Sequence, residues 1–235
     1  AADLPWGADG EWSDAADHKR AIRTELGLPE DKTLWILQGA GINVDRGAEE
    51  LVEAAAMCPE VELVVVGSGD AIPRLQEYVL GQGWTNVRFV GRVPREQLQR
   101  YTQAADLGFS LDKPKSQNYR WSLPNKLFDY FQAGIPVVAS DLVEVARVVR
   151  DSGAGTVLDQ LSPVAIANAA RALMQPTAYA AATRAARQAA HHYHWGHEGQ
   201  VWHRLIDRLE GRATHHIWSM DRLEPPRYGG TLEVL

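Results

Sequence analysis

Residues 124–140 read PNKLFDYFQAGIPVVAS, a helical pattern followed by a glycine turn and a β-branched strand. Apolar side chains recur at helical spacing over 125–133, which predicts a helix with one apolar face. Gly134 is the residue type that most often ends a helix in the left-handed conformation, and Pro136 prevents the helix from continuing. The strand 137–140 begins at once, so this stretch predicts a helix joined by a tight turn to a buried strand of a layered α/β domain.

The same alternation of strands and helices extends along the chain. Strands are predicted at 34–38, 61–66, 87–90, 107–111, 137–140 and 155–158, and helices at 15–26, 48–57, 72–81, 95–104, 125–133, 163–190 and 198–209. Strands separated by helices of this length imply βαβ units, a parallel sheet and helices on both faces. The fold class predicted is therefore an α/β, doubly wound, Rossmann-like parallel sheet, in which ligands bind at the carboxyl ends of the strands.

One domain is expected to take up residues 1–213, including the C-terminal helices. Residues 214–235 are expected to be a tail. The tail ends in 229–235 (GGTLEVL), which looks like a linker that leads into a protease-recognition sequence added in cloning. Such a segment is excluded from reasoning about the fold.

Composition narrows the function classes. The net charge of -6 over 235 residues gives no basic surface, so no nucleic-acid partner is expected. Cys58 stands alone, which favours a reducing, cytoplasmic location. No apolar run approaches the roughly 20 residues that span a bilayer, although a peripheral membrane attachment of a longer protein stays open. The histidines of 191–197 fit no standard zinc spacing, so no metal is expected.

The loop 39–47 (GAGINVDRG) is the first candidate ligand site. Gly39, Gly41 and Gly47 would let the backbone approach an anion, and a helix N-terminus follows. Arg46 adds a cation with a geometry suited to phosphate. An ordinary strand-to-helix turn with an exposed arginine explains the same residues. The third glycine of a dinucleotide fingerprint is missing, and no Gly-Lys-Ser/Thr of a P-loop appears.

The start of the helix at 125 is the second candidate site. Its backbone amides could hold a phosphate or a sugar hydroxyl, and the residues concerned are Ser122, Leu123, Pro124 and Asn125. Lys126 could supply a countercharge. Asp129, on the same helical face, could accept the paired hydroxyls of a ribose. An amphipathic helix with a Lys126–Asp129 surface pair is the alternative.

The segments 124–130 and 133–140 resemble the donor-site signature of the group 1 family of retaining glycosyltransferases, family four of the sequence classification. The strand-loop pairs earlier in the chain resemble those of the same family, and the resemblance covers about residues 3–210. It implies the C-terminal, donor-binding half of a GT-B fold. The donor would be a nucleotide diphosphate sugar, with neither a metal nor a separate cofactor.

The resemblance also implies roles for residues. Arg46 would contact the diphosphate, Asp129 the ribose, and the turn of 122–126 the leaving phosphate and the donor sugar. The base would be framed by backbone groups of Val90, Gly91, Arg92 and Val93, and Gly67 belongs to the glycine loop after the second strand. Arg46 and Lys126 are the catalytic candidates, because cations aimed at the leaving diphosphate stabilise the charge that develops there.

Two positions depart from the family pattern. Trp121 stands where the first of two acidic residues is usual, and Ala40 replaces the arginine of a Gly-Arg pair. Both departures remove an expected contact at the sugar and phosphate end, while the nucleotide end is unaffected.

The function expected is donor binding in an enzyme that transfers a sugar to an acceptor, in glycan or cell-surface polysaccharide synthesis. The acceptor would bind a separate N-terminal domain, without which this chain is expected to be inactive. Three alternatives stay open. They are a non-catalytic module with a decayed donor site, one half of a GT-B nucleotide-sugar epimerase and, more distantly, a nicotinamide-dependent oxidoreductase.

Overall fold

The computed structural model describes residues 15–193 and 195–209. Its strands are β1 (Thr33–Gly39), β2 (Val61–Gly67), β3 (Val87–Gly91), β4 (Leu107–Ser110), β5 (Val137–Ser140) and β6 (Gly155–Leu158). Its helices are α1 (Ala15–Glu25), α2 (Ala48–Ala56), α3 (Ile72–Gln82), α4 (Arg95–Ala104), α5 (Gln117–Trp121), α6 (Asn125–Gln132), α7 (Val143–Ser152), α8 (Pro163–Leu173), α9 (Pro176–His192) and α10 (Trp195–Leu209). Helix α10 forms a unit of its own.

All six strands lie parallel in one sheet, in the order β3-β2-β1-β4-β5-β6. This order confirms the predicted Rossmann-like class. The strand order reverses between β1 and β4, because the chain builds one half of the sheet outward from β1 and the other half outward from β4. In open α/β sheets a ligand binds in the crevice at that reversal, beyond the carboxyl ends of the strands.

Strand β1 lies at the centre of the sheet and is apolar on both sides. Trp35 and Leu37 point into the core layer that contains α2 and α8, whereas Leu34 and Ile36 point into the layer that contains α6 and α9. A strand covered by helices on both faces needs an unbroken apolar run instead of an alternating one. This requirement explains the sequence LWIL that predicted the strand.

The predicted helix 163–190 is wrong as a single element. The structure divides it into α8 and α9, because the residue before a proline is driven out of the helical conformation. Gln175, which precedes Pro176, has an extended ψ of 138°. Two helices were not predicted, the five-residue α5 and the valine-rich α7. The expected domain limit at 213 and the tail 214–235 lie outside the described residues.

Gly67 ends β2 with a φ of 135°, and a Cβ placed on it would lie 1.8 Å from the carbonyl oxygen of Gly39. We predict that Gly67→Ala lowers the free energy of unfolding by about 2 kcal/mol or more, because neither the backbone conformation nor the contact tolerates a methyl group. Gly81→Ala is the matched control. Gly81 lies inside α3 with open space around it, so Gly81→Ala should raise the free energy of unfolding by about 0.5–1 kcal/mol. Urea unfolding measures both, and equal effects would contradict the packing described.

Candidate functional site

A cleft of about 190 Å³ lies at the carboxyl ends of β1 and β4, against the first turn of α6. The residues that line it are Leu37, Gln38, Gly39, Ala40, Gly41, Ile42, Arg46, Asp112, Pro124, Asn125 and Lys126. The cleft therefore occupies the point at which the strand order reverses. Both candidate segments of the sequence, the glycine loop after β1 and the start of α6, contribute to it.

Asp112 is the central charge of the cleft. It lies two residues beyond β4 and is only 3% exposed. Its Oδ1 is 2.7 Å from Arg46 Nε, and its Oδ2 is 3.2 Å from Lys126 Nζ. The Arg46 Nε–H and Asp112 Oδ1 do not meet hydrogen-bond geometry, so this contact is an ion pair. One buried carboxylate thus holds two cations that are 80 residues apart in the chain, 46 against 126.

Arg46 is held by two further groups. Its Nη1 donates a hydrogen bond to the carbonyl oxygen of Gly41 at 2.7 Å, and its guanidinium carbon lies 4.7 Å from the ring centroid of Tyr119. Cations at this distance are attracted to the face of an aromatic ring. The guanidinium is therefore held from three directions at the wall of the cleft.

Gly47 allows Arg46 to reach Asp112. A Cβ on Gly47 would lie 2.4 Å from the carbonyl oxygen of Leu111, and its φ is 76°. Asp45, on the other side of Arg46, also has a positive φ, of 66°. Asp45 is 3.0 Å from Lys115 Nζ across the gap between the two loops. The loop after β1 and the loop after β4 therefore touch, with Arg46 between them.

The loop after β1 is also fixed to the loop after β2. Ile42 N–H donates to the carbonyl oxygen of Ser68 at 2.9 Å, and Ser68 N–H donates to that of Gly39 at 3.1 Å. Val44 N–H donates to Asp70 Oδ1 at 2.9 Å. These bonds hold the glycine loop in one conformation, so the loop needs no reordering when a ligand binds.

Lys126 is in an environment that opposes its charge. Burial lowers the pKa of its ammonium, and the nearby Arg46 acts in the same direction, while Asp112 raises the pKa and offsets part of the fall. A carboxylate this close favours the charged form of a lysine. Asp112 therefore opposes the effect of burial on the Lys126 charge as well as fixing the position of the side chain.

Asp129 does not pair with Lys126, contrary to the surface-pair alternative, which is wrong. Among the described contacts, Lys126 pairs with Asp112, and Asp129 Oδ2 accepts a hydrogen bond from Gln38 Nε2 at 2.9 Å. Burial raises the pKa of the Asp129 carboxyl, while Arg95 and the Gln38 hydrogen bond act in the opposite direction. Gln38 lines the cleft, so Asp129 stands at its edge.

The other predicted residues divide into two groups. Gly39, Gly41, Pro124 and Asn125 line the cleft, and Ser122 and Leu123 immediately precede its α6 wall. Val90, Gly91, Arg92 and Val93 lie at the end of β3, two strands away from β1, and are not in the lining of the cleft.

Trp121 is 57% exposed, and its Nε1 donates to Gln117 Oε1 at 3.3 Å.

Sequence reasoning missed three contributors, Asp112, Gln38 and Tyr119. Asp112 had a usable signal, because it directly follows a predicted buried strand at the edge where ligands bind. Gln38 was a polar residue directly after the apolar run LWIL of β1. Tyr119 gave no signal, since only the folded chain brings its ring to Arg46.

Two further kinds of site are absent from the described residues. No group of three or more His, Cys, Asp or Glu side chains in 15–193 and 195–209 could hold a metal ion. Within the same ranges no helix has the length and apolar character that crossing a bilayer requires. The predicted histidine cluster is described only in part, because residues 194–198 have no described side chains.

The family model for group 1 glycosyl transferases matches residues 39–176, more than half of the chain. The chain belongs to the group 1 glycosyltransferases. The match begins at the glycine loop after β1 and includes Arg46, Asp112 and all of α6. A comparison with curated protein sequences gave no match.

Solved structures of glycosyltransferases share the fold of this group 1 chain. WaaG, a glycosyltransferase involved in lipopolysaccharide biosynthesis, superposes with a TM-score of 0.62 at 22% identity, over 74% of this chain and 46% of WaaG. Sucrose-phosphate synthase from Thermosynechococcus elongatus gives 0.67 at 22% identity, over 82% and 49%. HepE from Anabaena, in complex with UDP and glucose, gives 0.60 at 21% identity, over 74% and 46%. The chain thus spans about half the length of these structures.

Asp112→Asn tests the ionic cluster. We predict a loss of about 1–3 kcal/mol in the free energy of unfolding, because Arg46 and Lys126 would face each other without their shared counter-ion. Asp141→Asn is the control, since the Asp141–Arg150 pair is more than half exposed at 54% and 56% and should cost less than about 0.5 kcal/mol. Equal losses in urea unfolding would show that the buried carboxylate has no special role.

Asp129→Asn should make the folded chain more stable at pH 7. The folded-state pKa of Asp129 is raised above its unfolded value of 3.8. The folded chain therefore loses stability as the pH rises from the unfolded pKa through the folded pKa of this carboxyl. Asparagine carries no charge and can still accept the hydrogen bond of Gln38. The gain in stability should be present at pH 7. It should vanish below the unfolded pKa, where Asp129 is protonated in both the folded and the unfolded chain. Denaturant unfolding at several pH values measures it, and a loss of stability at pH 7 would contradict the assignment.

Proposed function

We propose that the cleft binds the diphosphate of a nucleotide-sugar donor, and that the longer protein transfers the sugar to an acceptor in glycan or cell-surface polysaccharide synthesis. One observation carries the proposal, namely that Arg46 and Lys126 meet around Asp112 at the reversal of the strand order. Family membership supports sugar transfer as the reaction class. The HepE structure with UDP and glucose supports a nucleotide-sugar donor.

The formal charges of the cluster suit an anionic ligand. Arg46 and Lys126 outnumber Asp112 by one positive charge, and the start of α6 adds the partial positive charge of a helix N-terminus. The negative charge of a diphosphate would offset the positive charge that Asp112 does not neutralise. As the bond between sugar and phosphate breaks, negative charge grows on the leaving phosphate, and cations already fixed in place stabilise it without reorganisation.

Asp129 is proposed to bind the ribose of the donor. Its carboxylate lies beside Gln38 at the edge of the cleft, one helical turn along α6 from Lys126. A carboxylate offers about four lone-pair sites. One of them is occupied by Gln38, so others are left for the adjacent hydroxyl groups of a ribose.

The dimensions support a half-site. Complete ligand pockets commonly enclose about 300–1,000 Å³, more than the 190 Å³ found here. The chain also covers about half of the glycosyltransferase structures it resembles. We infer that the acceptor binds a second domain across the cleft. The isolated chain should then bind donor weakly and transfer little sugar, and appreciable transfer by the chain alone would contradict this part of the proposal.

A non-catalytic binding module is the second candidate. Trp121, an exposed indole in the position where the family resemblance expects an acidic residue, favours it. Nucleoside diphosphate binding without sugar transfer by the longer protein would identify such a module. A GT-B epimerase would instead convert the donor sugar in the absence of any acceptor.

Isothermal titration of the chain with UDP, GDP and ADP tests the proposal. We expect one of the three to bind, and Arg46→Ala to weaken that binding about tenfold or more, because a charge-assisted phosphate contact is lost. Arg171→Ala is the control. Arg171 is a surface arginine paired with Glu60. Glu60 directly precedes β2, at the amino ends of the strands and therefore away from the cleft. Its loss should change the affinity less than twofold.

Two outcomes contradict the proposal. Binding that is unaffected by Arg46→Ala places the diphosphate elsewhere. Failure of the wild-type chain to bind any of the three shows that the cleft alone is not a diphosphate site.

A further inference from the structure

Gln38 is an almost wholly buried polar side chain at the floor of the cleft. It is 2% exposed and belongs to the otherwise apolar run of the central strand β1. Its Nε2 donates to Asp129 Oδ2 at 2.9 Å. Its Oε1 accepts from the Thr102 hydroxyl of α4 at 2.7 Å. A buried amide at the carboxyl end of the central strand thus joins two helices, α4 and α6.

The orientation of the Gln38 amide follows from its partners. A carboxylate only accepts hydrogen bonds, so the amide nitrogen must face Asp129 and the amide oxygen must face Thr102. The Thr102 hydroxyl also lies 2.8 Å from the carbonyl oxygen of Leu98, so that its single proton is shared between two acceptors. The reversed amide would bring its oxygen against the carboxylate of Asp129, which is repulsive.

The hydrogen bond from Gln38 has a consequence for Asp129. Burial disfavours the ionised form of this carboxyl, and the bond from Gln38 and the charge of Arg95 favour it. The bond also fixes Oδ2, and therefore the plane of the carboxylate. The lone pairs that are not used by Gln38 are then aimed in one direction, as recognition of a pair of hydroxyl groups requires.

We propose that Gln38 and Thr102 are positioning residues that orient the Asp129 carboxylate toward the ribose of a nucleoside diphosphate. This inference rests on the proposed function and makes it more specific. Gln38 acts on the ribose through Asp129, and Thr102 acts through Gln38. Neither residue is required for the phosphates, which bind Arg46 and Lys126.

A purely structural role predicts a different result. If the two hydrogen bonds only stabilise the junction of α4, β1 and α6, their removal lowers stability and weakens all ligands alike. If they orient Asp129, their removal weakens ligands that carry a ribose 2′-hydroxyl and spares inorganic pyrophosphate.

The test compares Thr102→Val, which keeps the shape but loses the hydroxyl, with Thr102→Ser, which keeps the hydroxyl. Gln38→Leu removes both hydrogen bonds of the amide. Calorimetry on the chain measures three probes, namely the tightest binder among UDP, GDP and ADP, its 2′-deoxy counterpart, and pyrophosphate. We expect the affinity for the ribonucleotide to fall about tenfold in Gln38→Leu, which loses a hydrogen bond to a charged group. In Thr102→Val it should fall about threefold.

In both weakened variants the preference for the ribonucleotide over its deoxy counterpart should shrink, while pyrophosphate stays within twofold of wild type. Thr102→Ser should behave as wild type. Equal loss for all three probes, or an unchanged ribose preference in Thr102→Val and Gln38→Leu, would overturn this inference and leave the proposed function standing. Equal binding of the ribo and deoxy forms by wild type would overturn this inference and the ribose contact proposed for Asp129, and would leave only the diphosphate site standing. Failure of wild type to bind any nucleoside diphosphate or pyrophosphate would overturn both this inference and the proposed function.

Discussion

The arrangement of this site depends on the contact of one buried carboxylate, Asp112, with two cations from separate segments. Without Asp112, the guanidinium of Arg46 and the ammonium of Lys126 would repel each other in the lining of the cleft. With it, both are fixed before any ligand arrives, and the cluster keeps a net positive charge. Asp112 itself is secured from β5, because the Ser140 hydroxyl donates to its carbonyl oxygen at 2.7 Å. Burial strengthens each of these interactions, because the local dielectric is lower than that of water.

The fold supplies the closeness that this cluster needs. The reversal of strand order leaves a crevice between β1 and β4, and Gly47 lets the loop after β1 come within contact of Leu111. Gly67 similarly lets the end of β2 pack on Gly39. The glycines of this edge therefore act first through backbone packing. Their effect on the ligand is indirect, because they set where Arg46 and the loop amides lie.

Much of the fold could be predicted from sequence because its strands are mostly apolar and rich in β-branched residues, and Gly134 and Pro136 mark the turn between α6 and β5. The split between α8 and α9 was missed, since the alanine-rich pattern obscured the effect of Pro176 on the residue before it. At the site, Arg46, Lys126 and Asp129 were recognised as residue types. Their pairing was not, because spacing within a helix does not show that a carboxylate from the loop after β4 pairs with the lysine in place of Asp129. The position of Asp112 directly after a buried strand pointed to the ligand-binding edge, but did not show which cations it would pair with.

A crystal structure of the chain with a bound nucleoside diphosphate tests the central claim most directly, because it locates every group at once. The account predicts phosphate oxygens within hydrogen-bond distance, about 2.7–3.2 Å, of both the Arg46 guanidinium and Lys126 Nζ, with Asp112 behind the two cations and the ribose against Asp129. A nucleotide bound with its phosphates away from Arg46 and Lys126, or with Asp112 separated from both cations, would contradict it.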